Sequence, residues 1–275
     1  MKTVKISADC CNIFSLTNDG ILGIWDISSE KKIQTFKRQH IFNDNMKFSP
    51  DRNTAVSWSD GKTIQLWDVK SGKEMTKFGG LHWILSVDIS SDDRYVVSGL
   101  TNGITQLWDA NSGKEIKKLV EDSGPVNNVQ FSSDGQLIVS SVGGTISLWD
   151  TKSGKVKKLK ELFNIIKLVK LSPDGKSILF CSWDDTIRIW DVESDKGPRI
   201  LKRNSDFVND IQYFPDGQTV AFWLCDDSIQ LQDVKSGYET QRLRGHSGSL
   251  IGMDISSDGN LIVTCSQEET VEIWG

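Results

Sequence analysis

Short runs of alternating apolar and polar residues, rich in β-branched and aromatic types, follow one another along the chain with polar turns between them. This period-two pattern is typical of β-strands with one buried face. Pro173-Asp174-Gly175 is typical of a tight turn, because proline presets φ and glycine accepts positive φ. Around this turn the pattern predicts four strands, at Ile166–Leu171, Ser177–Ser182, Thr186–Trp190 and near Arg199–Leu201.

The four-strand pattern recurs seven times. Each copy ends in a Trp-Asp pair or its equivalent, with first members 41 or 42 residues apart, at Trp25, Trp67, Trp108, Trp149, Trp190, Gln232 and Trp274. A turn aspartate precedes that position by 16 residues in six copies and by 15 in the fourth; the seven are Asp9, Asp51, Asp92, Asp134, Asp174, Asp216 and Asp258. Two markers that keep phase over seven copies indicate an internal repeat.

The repeat length, the Trp-Asp pairs, the Pro-Asp-Gly-type turns and runs such as Gly-Lys-Thr-Ile-Gln-Leu-Trp-Asp together resemble the WD40-repeat family over the whole chain. The resemblance implies an all-β, seven-bladed β-propeller of four-stranded antiparallel blades, in one domain over residues 1–275. The sixth repeat departs from the family with Gln232 in place of tryptophan. The family's Gly-His pair is complete only at Gly245-His246, whereas His40 and His82 match only the histidine of the pair.

The resemblance also implies a hydrogen-bonded tetrad of His, Ser or Thr, Asp and Trp within a blade. In the last repeat the matching residues would be His246, Ser266, Glu268 and Trp274, with glutamate in place of aspartate. The fourth repeat has no histidine, so we expect no tetrad there. Because buried polar networks stabilise a fold only when they are satisfied, we expect the blades to differ in stability.

The last blade lacks residues for an outer strand. Val4–Ser7 already matches the first strand of a repeat, and Trp274-Gly275 closes a third strand. In the family, a segment before the first repeat normally supplies the missing strand. Either the last blade has three strands, or the chain is a piece of a longer protein; the second is favoured, because natural proteins usually cover open edges. An open edge predicts concentration-dependent self-association.

The net charge, the N-terminal residues and the cysteines indicate which partners and which cellular compartment to expect. The formal net charge of −5 argues against nucleic acid as a partner. The N-terminal residues contain no apolar core for a signal peptide, and no membrane span is expected. The five cysteines have no metal-site spacing and are interpreted as free thiols in a reducing compartment. We therefore expect an intracellular protein, in the cytoplasm or, as an open alternative, the nucleus.

The sequence offers few candidate residues for catalysis or metal binding. The three histidines fall where the family places a structural histidine, and no nucleophile-elbow or phosphate-loop motif is present. The doubled acids Asp184-Asp185, Asp226-Asp227 and Glu268-Glu269 occupy the same turn in successive repeats and are interpreted as turn or tetrad residues. We expect no enzyme activity, no cofactor and no metal.

Large aromatic residues outside the Trp-Asp positions are the candidate binding residues. They either fill gaps between blades or anchor a partner at the loop-rich top face that the family resemblance implies, since interface hot spots favour tryptophan. The sequence thus predicts a protein-binding scaffold; the alternatives are a regulatory or sensor region of a larger enzyme or signalling protein, and a propeller enzyme. The candidates are Trp58, Trp83, Trp183, Trp223, Phe42, Phe163 and Phe207.

Overall fold

The structure, a computed structural model, describes residues 3–7, 9–17, 21–37, 46–51, 53–59, 61–120, 124–159, 164–184, 186–194, 196–203 and 208–275. Within them the strands form seven antiparallel sheets, six of four strands and one of three. The prediction of an all-β propeller fold with seven blades, the last three-stranded, is therefore confirmed.

Each blade uses consecutive strands in chain order, and each strand pairs with the one before it. Blade 1 contains β1 (Thr3–Ile6), β2 (Asn12–Leu16), β3 (Ile21–Asp26) and β4 (Lys31–Lys37). Blade 2 contains β5 (Met46–Phe48), β6 (Thr54–Ser59), β7 (Thr63–Asp68) and β8 (Glu74–Gly79); blade 3 contains β9 (Ile84–Ile89), β10 (Tyr95–Leu100), β11 (Ile104–Asp109) and β12 (Glu115–Val120). Blade 4 contains β13 (Val126–Phe131), β14 (Leu137–Val142), β15 (Thr145–Asp150) and β16 (Val156–Leu159).

The remaining three blades continue the same order. Blade 5 contains β17 (Ile166–Leu171), β18 (Ser177–Ser182), β19 (Thr186–Asp191) and β20 (Arg199–Arg203). Blade 6 contains β21 (Val208–Tyr213), β22 (Thr219–Leu224), β23 (Ile229–Asp233) and β24 (Glu239–Leu243); blade 7 contains β25 (Leu250–Ile255), β26 (Ile262–Ser266) and β27 (Val271–Trp274). The four strands predicted around Pro173 thus form within two residues of their expected ends.

Contacts divide the chain into two compact units, residues 44–205 (the middle unit) and residues 1–43 with 206–275 (the terminal unit). The middle unit contains blades 2–5 and the terminal unit contains blades 6, 7 and 1. Neighbouring blades within each unit share apolar clusters; one joins Val56 and Leu66 of blade 2 to Val87 and Val96 of blade 3. The expectation of a single domain stays a prediction.

A Ser-x-Asp turn joins the first two strands in six of the seven blades. In blade 4 the Ser132 hydroxyl donates to Asp134 Oδ1 at 2.6 Å, and that carboxylate accepts the Gln136 N–H at 3.0 Å. The Ser132 hydroxyl in turn accepts the Leu137 N–H at 2.9 Å. Blade 6 has Phe214 in place of the serine. The turn aspartates of the repeat are therefore structural, because their oxygens satisfy backbone donors of the turn.

The tryptophan of the Trp-Asp pair donates its indole N–H to a strand-two hydroxyl in five blades. The donor–acceptor pairs are Trp25 to Ser15, Trp67 to Ser57, Trp108 to Ser98, Trp149 to Ser140 and Trp274 to Thr264, at 2.8 to 3.1 Å. Blades 5 and 6 have the fully buried Phe180 and Phe222 at the hydroxyl position. Blade 6, which lacks the tryptophan, therefore still buries an aromatic side chain, supplied by strand two.

Candidate partner-binding site

A cavity of about 450 Å³ lies within the middle unit, lined mainly by the first strands of its four blades. β5, β9, β13 and β17 all contribute side chains to its wall. Cavities of a few hundred Å³ are typical of ligand sites in proteins. We call this feature the inner-strand cavity.

Three β-bulges direct side chains into the inner-strand cavity. In blade 3, Ser86 pairs with Gly99 and Ile84 pairs with Leu100, which leaves Leu85 without a partner across the sheet. In blades 4 and 5 the strand register skips Asn127 and Lys167 in the same way. All three bulged residues line the cavity. Because a bulge bends its strand and re-aims one side chain, this recurring device gives the cavity mouth a mixed apolar, amide and basic surface.

Side chains of one blade also hold the backbone of the next. Asp88 of blade 3 accepts the Phe131 N–H of blade 4 at 2.8 Å through Oδ2, and its Oδ1 lies 3.3 Å from Lys47 Nζ of blade 2. Gln130 of blade 4 accepts the Leu171 N–H of blade 5 at 3.1 Å. These inter-blade hydrogen bonds fix the spacing of the first strands, so the cavity wall is pre-organised.

The wall of the inner-strand cavity is basic and rich in amides. Its lining in the described part of the chain includes Lys47, Lys167 and Lys170 but no aspartate or glutamate. Lys47 forms an ion pair with Asp88, which is not among the lining residues. Asn128 donates its side-chain N–H to the Lys167 carbonyl at 3.1 Å, which anchors the bulge. Such a wall attracts carboxylate or other anionic groups.

Two of the predicted tryptophans are exposed and adjoin strands that line this cavity, although neither is among its lining residues. Trp83 is 57% exposed, precedes Leu85 by two residues and has Lys62 Nζ 6.0 Å from the centre of its ring. Trp183 is 61% exposed, and its backbone N–H donates to the Ile165 carbonyl at 3.0 Å. Ile165 precedes the cavity residue Lys167 by two residues. Both tryptophans therefore adjoin bulges that line the cavity, in blades 3 and 5.

The other two predicted tryptophans are less accessible. Trp58 is only 6% exposed; it packs in the core between blades 2 and 3 and lines the cavity. Trp223 of the terminal unit is partly buried against a core cluster, and its indole nitrogen has no hydrogen-bond acceptor among the described residues. Phe42, Phe163 and Phe207 lie outside the described residues.

The histidine network of the last repeat uses different partners from those expected. His246 Nε2 lies 2.8 Å from the Thr264 hydroxyl, which also accepts the Trp274 indole N–H at 3.1 Å. His246 Nδ1 lies 2.9 Å from the Thr270 hydroxyl. Thr264, not Ser266, thus joins the histidine to the tryptophan. Residues 264 and 266 lie on the same face of β26, because side chains two positions apart on a strand point the same way. The partner predicted from the sequence was therefore two residues further along the strand than the observed one.

Ser266 and Glu268 lie at the edge of this network. The Ser266 and Thr270 hydroxyls are 2.8 Å apart, so Ser266 connects to the histidine through Thr270. Glu268 accepts the Ser247 hydroxyl at 2.6 Å through Oε2. Thr270, at the end of the same turn, thus takes the place expected for Glu268, and the acidic Glu272 has its Oε2 3.8 Å from His246 Nε2.

The doubled acids hold turns and ion pairs. Asp184 accepts the Thr186 N–H at 3.1 Å and lies 2.7 Å from Arg188 NH2, while Asp185 lies outside the described residues. Desolvation raises the pKa of Asp184, but hydrogen bonds from Thr186 and the Arg188 charge together outweigh it and hold this pKa below its ordinary value. Asp226 likewise accepts the Ser228 N–H at 3.1 Å. These contacts agree with the turn interpretation.

The described residues contain neither a metal-binding cluster nor a membrane-spanning helix. No group of three or more histidine, cysteine, aspartate or glutamate side chains there could hold a metal ion. No helix in that part of the chain is long and apolar enough to cross a membrane.

Neither the bulged residues nor the basic wall was predicted from the sequence. The available signal was the polar second residue of motifs such as Met-Lys-Phe-Ser and Val-Lys-Leu-Ser. The first and third residues of these motifs are apolar. Lys47 and Lys170 occupy this position in blades 2 and 5. The bulges themselves have no sequence signal of their own, because they exist only in the pairing of two strands.

Comparison with known proteins places the fold in a family. The family model described as "WD domain, G-beta repeat" matches residues 72–109, 113–150, 164–191 and 237–275, which together make up just over half of the chain. The chain therefore belongs to the WD40 family, a class of propellers that is typically non-catalytic.

Two curated relatives match over a shorter range. A stretch of 32 residues is 56% identical to the U4/U6 small nuclear ribonucleoprotein Prp4 of Mus musculus, covering 12% of this chain and 6% of that protein. A stretch of 30 residues is 57% identical to the protein of the same name from Homo sapiens, covering 11% and 6%. Because each match is shorter than one repeat, it supports the repeat type alone.

Proposed function

We propose that this chain is a non-catalytic interaction scaffold that binds an extended segment of a protein partner at the mouth of the inner-strand cavity. The observation that carries the proposal is the combination of a basic, pre-organised cavity with two exposed tryptophans beside it. Tryptophan combines a large apolar surface with few rotatable bonds, which makes it a frequent hot spot of protein interfaces. Exposed tryptophans beside a cavity therefore favour binding over packing.

The charge of the wall favours a segment with an acidic residue next to an apolar one. The carboxylate would enter beside Lys167 and Lys170, and the apolar side chain would lie against Trp83 or Leu85. A protein segment is favoured over nucleic acid because the chain as a whole has a net charge of −5. The matched relatives are small nuclear ribonucleoproteins by name, and a scaffold within an assembly of several macromolecules would fit that likeness.

The test is selection of peptides from a displayed random library on the immobilised chain, followed by titration of the selected peptides by fluorescence anisotropy. We expect peptides enriched in Asp or Glu, with affinity that falls as salt rises. Trp83→Ala and Trp183→Ala should each weaken binding by about 2 kcal/mol, roughly 30-fold, as for interface hot spots. Because both side chains are exposed, their melting temperatures should stay near that of the wild type.

Lys167→Glu tests the charge independently of the aromatic contact, and the selected acidic peptides should lose affinity for it. Tyr238→Ala is the matched control, because Tyr238 is an exposed aromatic residue of blade 6 in the terminal unit. Peptides that bind all of these variants as tightly as the wild type would refute the proposed site. A large loss of thermal stability in Trp83→Ala would assign that residue to packing instead.

A further inference from the structure

The exposed Trp83 lies on a short loop, residues 80–83, that leads from β8 of blade 2 to β9 of blade 3. Both ends of this loop are hydrogen-bonded to the turn between β6 and β7, which contains Gly61 and Lys62 and is called the blade-2 turn below. The Gly80 N–H donates to the Lys62 carbonyl at 3.2 Å, and the Ile84 N–H donates to the Gly61 carbonyl. The loop is therefore closed against the blade-2 turn.

The backbone of Trp83 is also held from blade 3. Its carbonyl accepts the N–H of Thr101, which follows β10, at 3.0 Å. The peptide group between Trp83 and Ile84 is thus hydrogen-bonded at its oxygen and at its nitrogen. The freedom that remains to the Trp83 side chain is rotation about its own χ angles.

The indole ring of Trp83 lies directly against Gly61. A Cβ atom added to Gly61 would overlap Cε3 and Cζ3 of the ring and would lie 2.8 Å from Cδ2. All three atoms belong to the six-membered ring of the indole. The Nζ atom of Lys62 lies 6.0 Å from the centre of the Trp83 ring, at the limit of a cation–π contact. Two consecutive residues of the blade-2 turn therefore contact the ring.

The ring explains the glycine better than the backbone conformation does. Gly61 has a φ of +68°, in the left-handed region that favours glycine. In the corresponding turns of blades 6 and 7, however, Asp227 and Glu269 have φ values of +59° and +62°. A side chain is thus accommodated at positive φ in turns between the second and third strands. At Gly61 the Trp83 ring occupies the place of that side chain.

A second glycine brings the loop close to the same turn. A Cβ atom added to Gly79, at the end of β8, would overlap the Lys62 carbonyl oxygen and would lie 3.0 Å from Thr63 Cα. These neighbours are backbone atoms, which cannot rotate away as a flexible side chain would. Gly79 therefore permits the close approach that the hydrogen bond from Gly80 to Lys62 requires.

We propose that Gly61 is the positioning residue of the Trp83 anchor: because it has no Cβ atom, it holds the exposed ring in one orientation before a partner arrives. The inference rests on the function proposed above, in which Trp83 contacts an apolar side chain of the partner segment. A ring that is already ordered loses little freedom on binding, so the affinity rises without a new contact.

The first test needs no partner. The chain is labelled with fluorotryptophan, and Trp83→Phe identifies the Trp83 signal in the fluorine NMR spectrum. We expect Gly61→Ala to move that signal toward its position in the urea-unfolded chain and to narrow it, because the displaced ring rotates in solvent.

Gly143→Ala is the matched control. Gly143 lies in the corresponding turn of blade 4 with a φ of +53°, and no heavy atom of the described residues beyond its chain neighbours lies within 4 Å of its Cβ position. This variant carries the backbone cost of alanine at positive φ without a clash. It should leave the Trp83 signal unchanged.

A double variant separates the clash from this backbone cost. Gly61→Ala should lower the melting temperature more than Gly143→Ala does. In the Trp83→Ala background the ring is absent, so Gly61→Ala should cost no more than Gly143→Ala. If Gly61→Ala alone does not fold, recovery of the fold by added Trp83→Ala, followed by circular dichroism, supports the clash, and failure to recover overturns it.

The effect on binding is measured with the peptides selected on the wild-type chain, by the same anisotropy titration. Gly61→Ala should weaken their binding about two- to tenfold, the range expected for ordering one side chain. This loss is smaller than the one expected for Trp83→Ala. In the Trp83→Ala background, Gly61→Ala should have no further effect on affinity, because the ring that it displaces is gone.

Two outcomes would overturn the proposal. The first is a Trp83 fluorine signal that Gly61→Ala leaves in place. The second is a signal that moves while the peptides bind Gly61→Ala as tightly as the wild type. Failure of the proposed function has a different pattern: Trp83→Ala then leaves the affinity of every selected peptide unchanged, while Gly61→Ala still moves the signal. The contact between Gly61 and the ring would then be confirmed and its role in binding overturned.

Discussion

The buried hydrogen bond between Trp108 and Ser98 in blade 3 gives the most direct test of how the repeat is stabilised. The indole N–H lies 2.9 Å from the serine hydroxyl, and the two residues are 5% and 0% exposed. Ser98→Ala removes the acceptor and leaves the indole N–H buried in an apolar cluster. Water cannot readily replace the lost partner at such a site.

A buried donor left without an acceptor costs about 1–3 kcal/mol. For a chain of this size, each kcal/mol lowers the melting temperature by roughly 2–4 °C. Ser98→Ala should therefore reduce the free energy of unfolding by about 1–3 kcal/mol and the melting temperature by about 2–12 °C. Trp108→Phe removes the donor and some volume, so the double variant should be more stable than the sum of the single effects predicts.

Urea unfolding followed by both tryptophan fluorescence and far-UV circular dichroism measures the change, and coincident transitions justify a two-state fit. Ser133→Ala is the matched control, because Ser133 is exposed in the turn between β13 and β14. A Ser98→Ala variant as stable as Ser133→Ala would refute the assignment of this hydrogen bond as a stabilising contact. Additive single effects in the double variant would refute the coupling between the two side chains.

Two further predictions concern titration. Hydrogen bonds from Ser256 and Asn260 lower the pKa of Asp258 from 3.8 to about 2, so its stabilising contribution is present above about pH 4 and is lost as the pH falls to about 2. In melts across this range, Asp258→Asn should be less stable than the wild type at neutral pH and equal to it near pH 2; a difference that persists there contradicts the mechanism. Burial raises the pKa of the Cys265 thiol to about 12, whereas Cys11 and Cys225 are exposed. Iodoacetamide at pH near 8 should therefore modify the two exposed thiols first, and mass spectrometry that finds Cys265 modified at the same rate in the folded chain would refute its burial.

Much of the fold follows from local sequence. The period-two alternation and the Pro-Asp-Gly turn around Pro173 predicted the strands of blade 5 to within two residues, because strand faces and turn dihedrals are set by neighbouring residues. The spacing of turn aspartate and tryptophan predicted seven blades for the same reason.

The candidate site was only partly predictable. The sequence ranked Trp58, Trp83, Trp183 and Trp223 alike, because all four lie outside the repeat tryptophan position. The structure separates them: Trp83 and Trp183 are exposed, whereas Trp58 is buried by residues of the next blade. Exposure depends on neighbours in the next repeat, such as Ile84 and Val87 for Trp58, and no local pattern encodes those contacts.

The sequence by itself thus determined the number of blades, the strand order and the turn chemistry, all of which rest on interactions within one repeat. The tertiary structure decided which hydroxyl joins His246 to Trp274 and which side chains the bulges turn into the inner-strand cavity. Each of these depends on register between strands or on packing between blades. A shift of one pleat leaves the hydrophobic alternation of a strand unchanged, yet it replaces Ser266 by Thr264 as the partner of His246.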